Sequence, residues 1–195
     1  MRDPKALHAV TAELNTARTS KSGSAAALTV PQLDTLELLE SCVLETLRLT
    51  SGSIVMRQVA TAKGLNLTLP STEASVFLRA GDRAALFPPL IHSDAEVFAD
   101  PRAFQPSRFV GEAGRALARQ HLMPFGGGVS LCPGRFFAVR EVKAFVALAL
   151  QRFEWRLPDG VGASSPMPAF DQTRSGLGIY PPKNDFPVSV RLRVS

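Results

Sequence analysis

A cysteine closes the glycine-rich run Phe125-Gly126-Gly127-Gly128-Val129-Ser130-Leu131-Cys132-Pro133-Gly134, immediately before an apolar segment. A sulfur delivered to the start of a helix meets backbone amides and the positive end of the helix dipole, which favour a thiolate. Glycines beside it let the backbone approach a flat ligand closely. Thiolate, planar clearance and the aromatic Phe125 together suit an axial haem ligand, where sulfur pushes electron density onto iron. The other reading of a single cysteine before an apolar helix is a small core residue.

A second constellation is ionic. Glu45 and Arg48 stand three apart, on one face of a helix, and Arg108 can bring a second guanidinium to the same carboxylate. Buried, such a triad would lock the stretch around Arg108 to the helix; exposed, a pair at this spacing contributes under about 0.5 kcal/mol. Cys42, Cys132, His8, His92 and His121 could be read as zinc ligands, but their spacings fit no compact four-ligand site.

The pattern F-x-x-G-x-x-x-C-x-G, carried by Phe125, Gly128, Cys132 and Gly134, resembles the haem-binding loop of the cytochrome P-450 family. Glu45-Thr46-Leu47-Arg48 is similar to that family's E-x-x-R pair, and Pro106-Ser107-Arg108-Phe109 to its P-E-R-F segment, in the family's order and approximate spacing. The resemblance implies haem b with Cys132 as catalytic axial iron ligand, Phe125, Gly128, Ser130 and Gly134 against the cofactor, and a structural triad of Glu45, Arg48 and Arg108. Two departures stand out. Many members place an arginine two residues before the cysteine, against a haem propionate; Ser130 offers only a neutral hydrogen bond there. Arg57, after the E-x-x-R helix, resembles the strand arginine that takes this role in the family. Ser107 replaces the usual glutamate beside Arg108 and leaves the triad intact.

More finely, the run Gly126 to Ala138 and the segment Arg174 to Gly178, followed by Pro181-Pro182 and Asp185, resemble the branch with sterol 7α- and 12α-hydroxylases and prostacyclin synthase. The resemblance implies a hydrophobic, sterol- or lipid-like substrate beside Leu177, Gly178 and Ile179, and insertion of one oxygen atom from O2. It also implies electrons from NADPH through a flavoprotein reductase. That partner would dock on a basic face built from Arg115, Arg119, Arg135, Arg140, Lys143 and Arg152, which Glu141 and Glu154 interrupt. Two alternatives remain: a haem-thiolate isomerase of the prostacyclin synthase type, and a non-catalytic haem-binding or sensing module using Cys132-Pro133. Full-length eukaryotic relatives sit on the endoplasmic reticulum membrane by an amino-terminal anchor.

These residues need elements to position them. The 195 residues are 45% hydrophobic and 20% charged, a balance that excludes disorder and low-complexity scaffolds. Leu7, Val10, Leu14 and Ala17 predict a first helix to about Ser20, ahead of a Ser/Gly/Lys loop. A second helix is expected from Pro31 to about Leu49, with Leu36, Leu39, Val43 and Leu47 as its stripe. Ile54 to Val59, Leu65 to Leu69 and Val76 to Leu78 predict a small antiparallel sheet. Ser93-Asp94-Ala95-Glu96 has capping-box spacing and predicts a short helix stopped at Asp100-Pro101. A meander follows, with a helical turn over Arg115 to His121.

After Gly134 a long helix is expected from Arg135 to Phe153, presenting Phe136, Val139, Val142, Val146 and Ala149 on one face. A strand near Phe153 to Leu157 and a hairpin ending in Val188 to Val194 complete the chain. The expected architecture is mainly α with small antiparallel β-sheets: residues 1–195 as the carboxy-terminal part of a single cytochrome P-450 domain, without its amino-terminal part, distal oxygen-activating helix or membrane anchor. Two cysteines far apart provide no disulfide framework. The longest apolar stretch, Ala144 to Leu150, is short of the ~20 residues that span a bilayer, so the chain as written reads as soluble and unexported. Net charge is +5, but the basic residues form no run interleaved with aromatics, which argues against nucleic acid as partner.

Overall fold

The computed structural model describes residues 4–19, 28–69, 72–157, 161, 169–174, 178–185 and 187–193. Apolar residues at helical spacing turn α1 (Pro4–Thr19) toward α3 (Glu37–Thr50), where Val10 and Leu14 meet Leu33, Leu36, Leu39 and Cys42 in the main core. The expected helix from Pro31 is broken in two. α2 (Val30–Asp34) begins at Thr29, whose amide donates to Gln32 Oε1 at 2.9 Å, and ends where Leu36 leaves helical geometry (φ −81°, ψ 80°). The break lets Leu36 bury completely. It also exposes a fresh helix start, and Glu13 of α1 satisfies it by accepting the Leu38 and Leu39 amides at 2.8 and 3.0 Å. A carboxylate there answers both the orphan amides and the helix dipole.

The β region forms nested hairpins rather than one sheet. β1 (Val55–Gln58) pairs antiparallel with β4 (Arg83–Leu86), Val55 opposite Leu86; between them β2 (Leu65–Thr68) pairs with β3 (Ser75–Leu78), Leu65 opposite Leu78. Gly81, at φ +87°, turns the chain into β4 while Asp82 accepts the Arg79 amide at 2.7 Å. β4 reads Arg-Ala-Ala-Leu, which carries no strand signal of its own.

α4 (Pro88–His92) then starts on its two prolines. The capping-box helix expected after Ser93 does not form: the Asp94 carboxylate instead accepts the Glu96 amide at 2.9 Å and closes a turn. Pro101 disfavours helical geometry at Asp100, so too few residues remain to repay helix nucleation. The turn buries Phe98 between His92 and Phe109, each ring edge-on at 6.3 Å. α5 (Gly111–His121) is longer than the expected single turn and crosses the Phe109 backbone so closely that a Cβ at Gly114 would sit 2.5 Å from the Phe109 carbonyl carbon.

α6 (Arg135–Arg152) packs on α1, α2 and α3, and of the expected stripe Val146 lies against the core. Lys143 and Ala147 are its buried residues, with Ala144, Val146 and Leu150 beside them, while Phe136 and Val142 face outward. Apolar residues surround this helix, so periodicity does not choose a face. Polar anchors do: Lys143 Nζ donates to Glu40 at 2.7 Å, and Arg140 pairs both nitrogens with Asp34 at 2.8 and 2.9 Å. β5 (Phe153–Arg156) follows directly and pairs antiparallel with β6 (Ser189–Leu192), so the final strand returns to β5 instead of closing a local hairpin. Among the described residues the architecture is mainly α with two-stranded antiparallel ladders, and no helix is long and apolar enough to cross a membrane.

Candidate functional site

The triad forms and is buried. Arg48 donates through Nε to Glu45 Oε2 at 2.8 Å and through Nη2 to Oε1 at 2.9 Å; Arg108 Nε reaches the same carboxylate at 3.0 Å, as does the Gln105 amide. Burial by itself would raise the Glu45 pKa, but the bonds from Arg48, the Gln105 amide and Arg108 outweigh it and hold the carboxyl below its usual range. Both guanidiniums have donors to spare. Arg48 Nη1 serves the carbonyls of His92 and Pro101 at 2.5 and 2.7 Å, and Arg108 Nη1 that of Ala99 at 2.7 Å. Phe98 lies beneath Arg48, its ring centre 5.2 Å from the guanidinium carbon. One helix face therefore gathers the whole meander through side-chain charge.

The glycine run folds into a closed loop. The Cys132 amide donates to the Phe125 carbonyl at 3.0 Å across a short 3-10 turn, Gly128–Ser130, and Gly126 and Gly128 take φ +77° and +59°. Side chains would strain both positions. Cys132 is exposed just before α6, and a Cβ at Gly134 would lie 3.8 Å from its Sγ. The other cysteine is the opposite case. Cys42 is buried and burial pushes its thiol up to about 11, which keeps it protonated and inert.

Arg57, on β1, donates to the Gly127 carbonyl at 2.6 Å and so stands at the loop. Phe125 is half-buried at the loop's start, and Ser130 is exposed. Gly178 and Ile179 abut the end of α3: the Gly52 amide donates to the Gly178 carbonyl, the Tyr180 amide to that of Thr50, each at 2.6 Å, and Ile179 bridges Ser51. Leu177, grouped with them from sequence, lies outside the described residues.

The basic face is more balanced than its sequence suggested. Arg140 is paired with Asp34, Lys143 is buried against Glu40, Arg115 bonds Glu37 and Glu112, and Arg119 bonds Glu112. Arg135 stacks on Phe136 at 4.1 Å. Beyond the expected interruptions at Glu141 and Glu154, acidic residues of α2, α3 and α5 fold onto this face, so that charge alternates along it.

In the sequence His92 stands only among residues whose spacing fits no zinc site; the structure gives it another partner. Its Nε2 accepts the Met123 amide at 3.0 Å. Among the described residues no group of three His, Cys, Asp or Glu side chains comes together to hold a metal ion. A solitary histidine in a sequence gives no sign of such a backbone partner.

An open thiol at a helix start, positive-φ glycines and a guanidinium at the same loop fit a planar, anionic, thiolate-ligated group such as haem. The description "Cytochrome P450" belongs to the family model that matches residues 1–186. Curated relatives include "Cytochrome P450 7A1" of Rattus norvegicus, 37% identical, and "Cholesterol 7-alpha-monooxygenase" of Cricetulus griseus, 38% identical. "Prostacyclin synthase" of Bos taurus is 33% identical. Each similarity covers 99% of this chain and 40% of the relative, so the chain spans about 40% of the length of these curated relatives.

Proposed function

The chain belongs to the cytochrome P450 family, and from that premise we propose that it forms the thiolate-bearing part of a monooxygenase acting on a sterol- or lipid-like substrate. The observation that carries this is the open Cys132 thiol at the start of α6, in a loop gripped by Arg57 and backed by the buried Glu45 triad. Cys132 would hold haem b through its sulfur, with Phe125, Gly128, Ser130 and Gly134 lining the group and Arg57 supplying positive charge for its carboxylates. Bound haem supplies O2 activation, using electrons from NADPH passed on by a flavoprotein reductase.

This chain's own part is positional. Glycines keep the loop's backbone clear, the loop leaves the Cys132 sulfur open just before α6, and Gly178 and Ile179, against the end of α3, would help to hold a hydrophobic substrate. The reductase would meet the alternating face around Arg135 and Arg140, and the whole protein would sit at the endoplasmic reticulum membrane. Similarity to prostacyclin synthase favours a second reaction type, isomerisation of a lipid peroxide on the same thiolate site. A bare haem-sensing Cys-Pro site would need neither Glu45 nor Arg108, whose burial together supports the enzymatic reading.

The test is to express the chain with haem supplied, reduce it, add carbon monoxide and compare it with Cys132→Ala. A strongly red-shifted absorption band that the variant loses is the expected result. A wild-type chain that binds no haem, or a band that survives in the variant, overturns the proposal.

A further inference from the structure

His92 belongs to no metal-holding group among the described residues, yet it is 1% exposed and lies between the triad and the cysteine loop. Its carbonyl accepts from Arg48 Nη1, and its ring Nε2 accepts from the Met123 amide at 3.0 Å. Met123 is two residues before Phe125, where the loop begins. The Met123 carbonyl accepts the Gly126 amide at 3.4 Å, and the Met123 side chain lies over Gly127 so tightly that a Cβ there would be 2.6 Å from its Cε. Gly127 in turn presents its carbonyl to Arg57. A continuous path thus runs from Arg48 through His92, Met123 and Gly127 to Arg57, joining α3 to β1 across the loop.

We propose that His92 is a positioning residue that fixes the entry of the Cys132 loop by accepting the Met123 amide with a neutral, Nδ1-protonated ring. Only that tautomer leaves Nε2 free to accept. The neighbours agree. A protonated ring would point a second donor at an amide, beside the Arg48 guanidinium of α3 and with Arg108 of the meander close over Phe98. Burial also disfavours the charged ring, pushing its pKa down to about 4. Among the described residues Nδ1 has no hydrogen-bond partner, whereas Nε2 has one. That asymmetry singles out the Nε2 bond as the reason for a histidine here.

The consequence for haem rests on the function proposed above; the bond itself does not. The test therefore has one arm without haem. Amide exchange at Met123 would be followed in the wild-type chain, His92→Phe and His92→Gln, with the Gln105 amide on Glu45 as internal control. Phenylalanine keeps a ring edge toward Phe98 but cannot accept; glutamine places an acceptor near the Nε2 position. His92→Phe is expected to speed Met123 exchange at least tenfold with Gln105 unchanged, and His92→Gln to restore most of the protection.

Unchanged Met123 exchange in His92→Phe overturns the proposal. Equal acceleration at Gln105 also overturns it, since His92 would then be a general core residue. In the second arm haemin is titrated into the same proteins, with at least tenfold weaker binding expected in His92→Phe alone. Native affinity in that variant removes the link to the cofactor. A wild-type chain that binds no haemin counts against the function proposed above and leaves the exchange result to decide the bond.

Discussion

Arg57 Nη2 donates to the Gly127 carbonyl at 2.6 Å across seventy positions of sequence, joining β1 to the middle of the glycine run. The same nitrogen lies 3.4 Å from where a Gly128 Cβ would be, so the guanidinium rests on bare backbone. Arg57→Ala should leave the fold intact, because the side chain is exposed, and weaken haemin binding roughly tenfold through loss of a charge-assisted bond. Arg57→Lys should recover part of this. Equal affinities by absorbance titration would remove Arg57 from the site.

The triad should behave as a unit. Glu45→Gln leaves two buried guanidiniums facing a neutral amide and is expected to cost about 3–5 kcal/mol in urea unfolding. That is a large share of the ~5–15 kcal/mol that holds a typical domain together. Arg48→Lys keeps the charge but not the bidentate fork, and should fall between. A loss below about 1 kcal/mol for Glu45→Gln would mean that the pair is solvated in solution.

Acid should loosen the chain in a defined order. Burial holds the His92 pKa at about 4 in the folded state against 6.5 for the free side chain, so the neutral ring's stabilisation is complete above 6.5 and lost as pH falls toward 4. The whole step is roughly 3 kcal/mol. Glu45, its pKa lowered when folded, contributes fully above its ordinary value of 4.5 and loses that contribution as pH falls through its lower folded value. Both changes have the same sign. Unfolding free energy should decline with falling pH, and His92→Gln should flatten the limb between 6.5 and 4 while keeping the lower one.

Gly52 should resist any side chain. A Cβ there would be 2.5 Å from Tyr180 Cε1, and the Tyr180 backbone is held by the hydrogen bond its N–H donates to the Thr50 carbonyl. Gly52→Ala is expected to cost about 1–3 kcal/mol by overpacking. Combining it with Tyr180→Ala should relieve most of that strain, so the double-mutant cycle would be non-additive. Additive losses would show that the ring moves aside freely.

Lys143 offers a separate test of helix phase. Its stem is buried in α6 while its partner, Glu40, is half-exposed. Lys143→Met should be nearly neutral in stability, whereas Glu40→Leu, which strands the ammonium, should cost about 1–3 kcal/mol. The opposite order, read from thermal unfolding, would contradict this packing.

What the sequence made legible was local. Glu45 and Arg48 share a helix face by spacing alone, and Phe125 to Gly134 lie in one short run, so both motifs survive without tertiary information. Positions set by distant partners were illegible. The helix from Pro31 breaks because Glu13 of α1 can cap a second start at Leu38 and Leu39. The phase of α6 follows from Asp34 and Glu40, not from its own apolar residues. Arg83 to Leu86 becomes a strand because β1 offers an unpaired edge. His92 acquires its partner through a backbone amide, which no side-chain pattern encodes.

The nested hairpins have a kinetic consequence. Their ladder begins with Thr68 opposite Ser75 and runs outward through Leu65 opposite Leu78 and Val55 opposite Leu86. The series continues beyond the strands: Arg48 meets the carbonyls of His92 and Pro101, Glu45 meets Gln105 and Arg108, and Ser41 accepts the Phe109 amide. Last comes Glu37 with Arg115. Each outer contact encloses the one before it, so once the inner pair is made the next closes only a short remaining gap, at little loop entropy. Contacts more than sixty residues apart can thus assemble as a zipper, and the charged triad closes over a segment that has already folded.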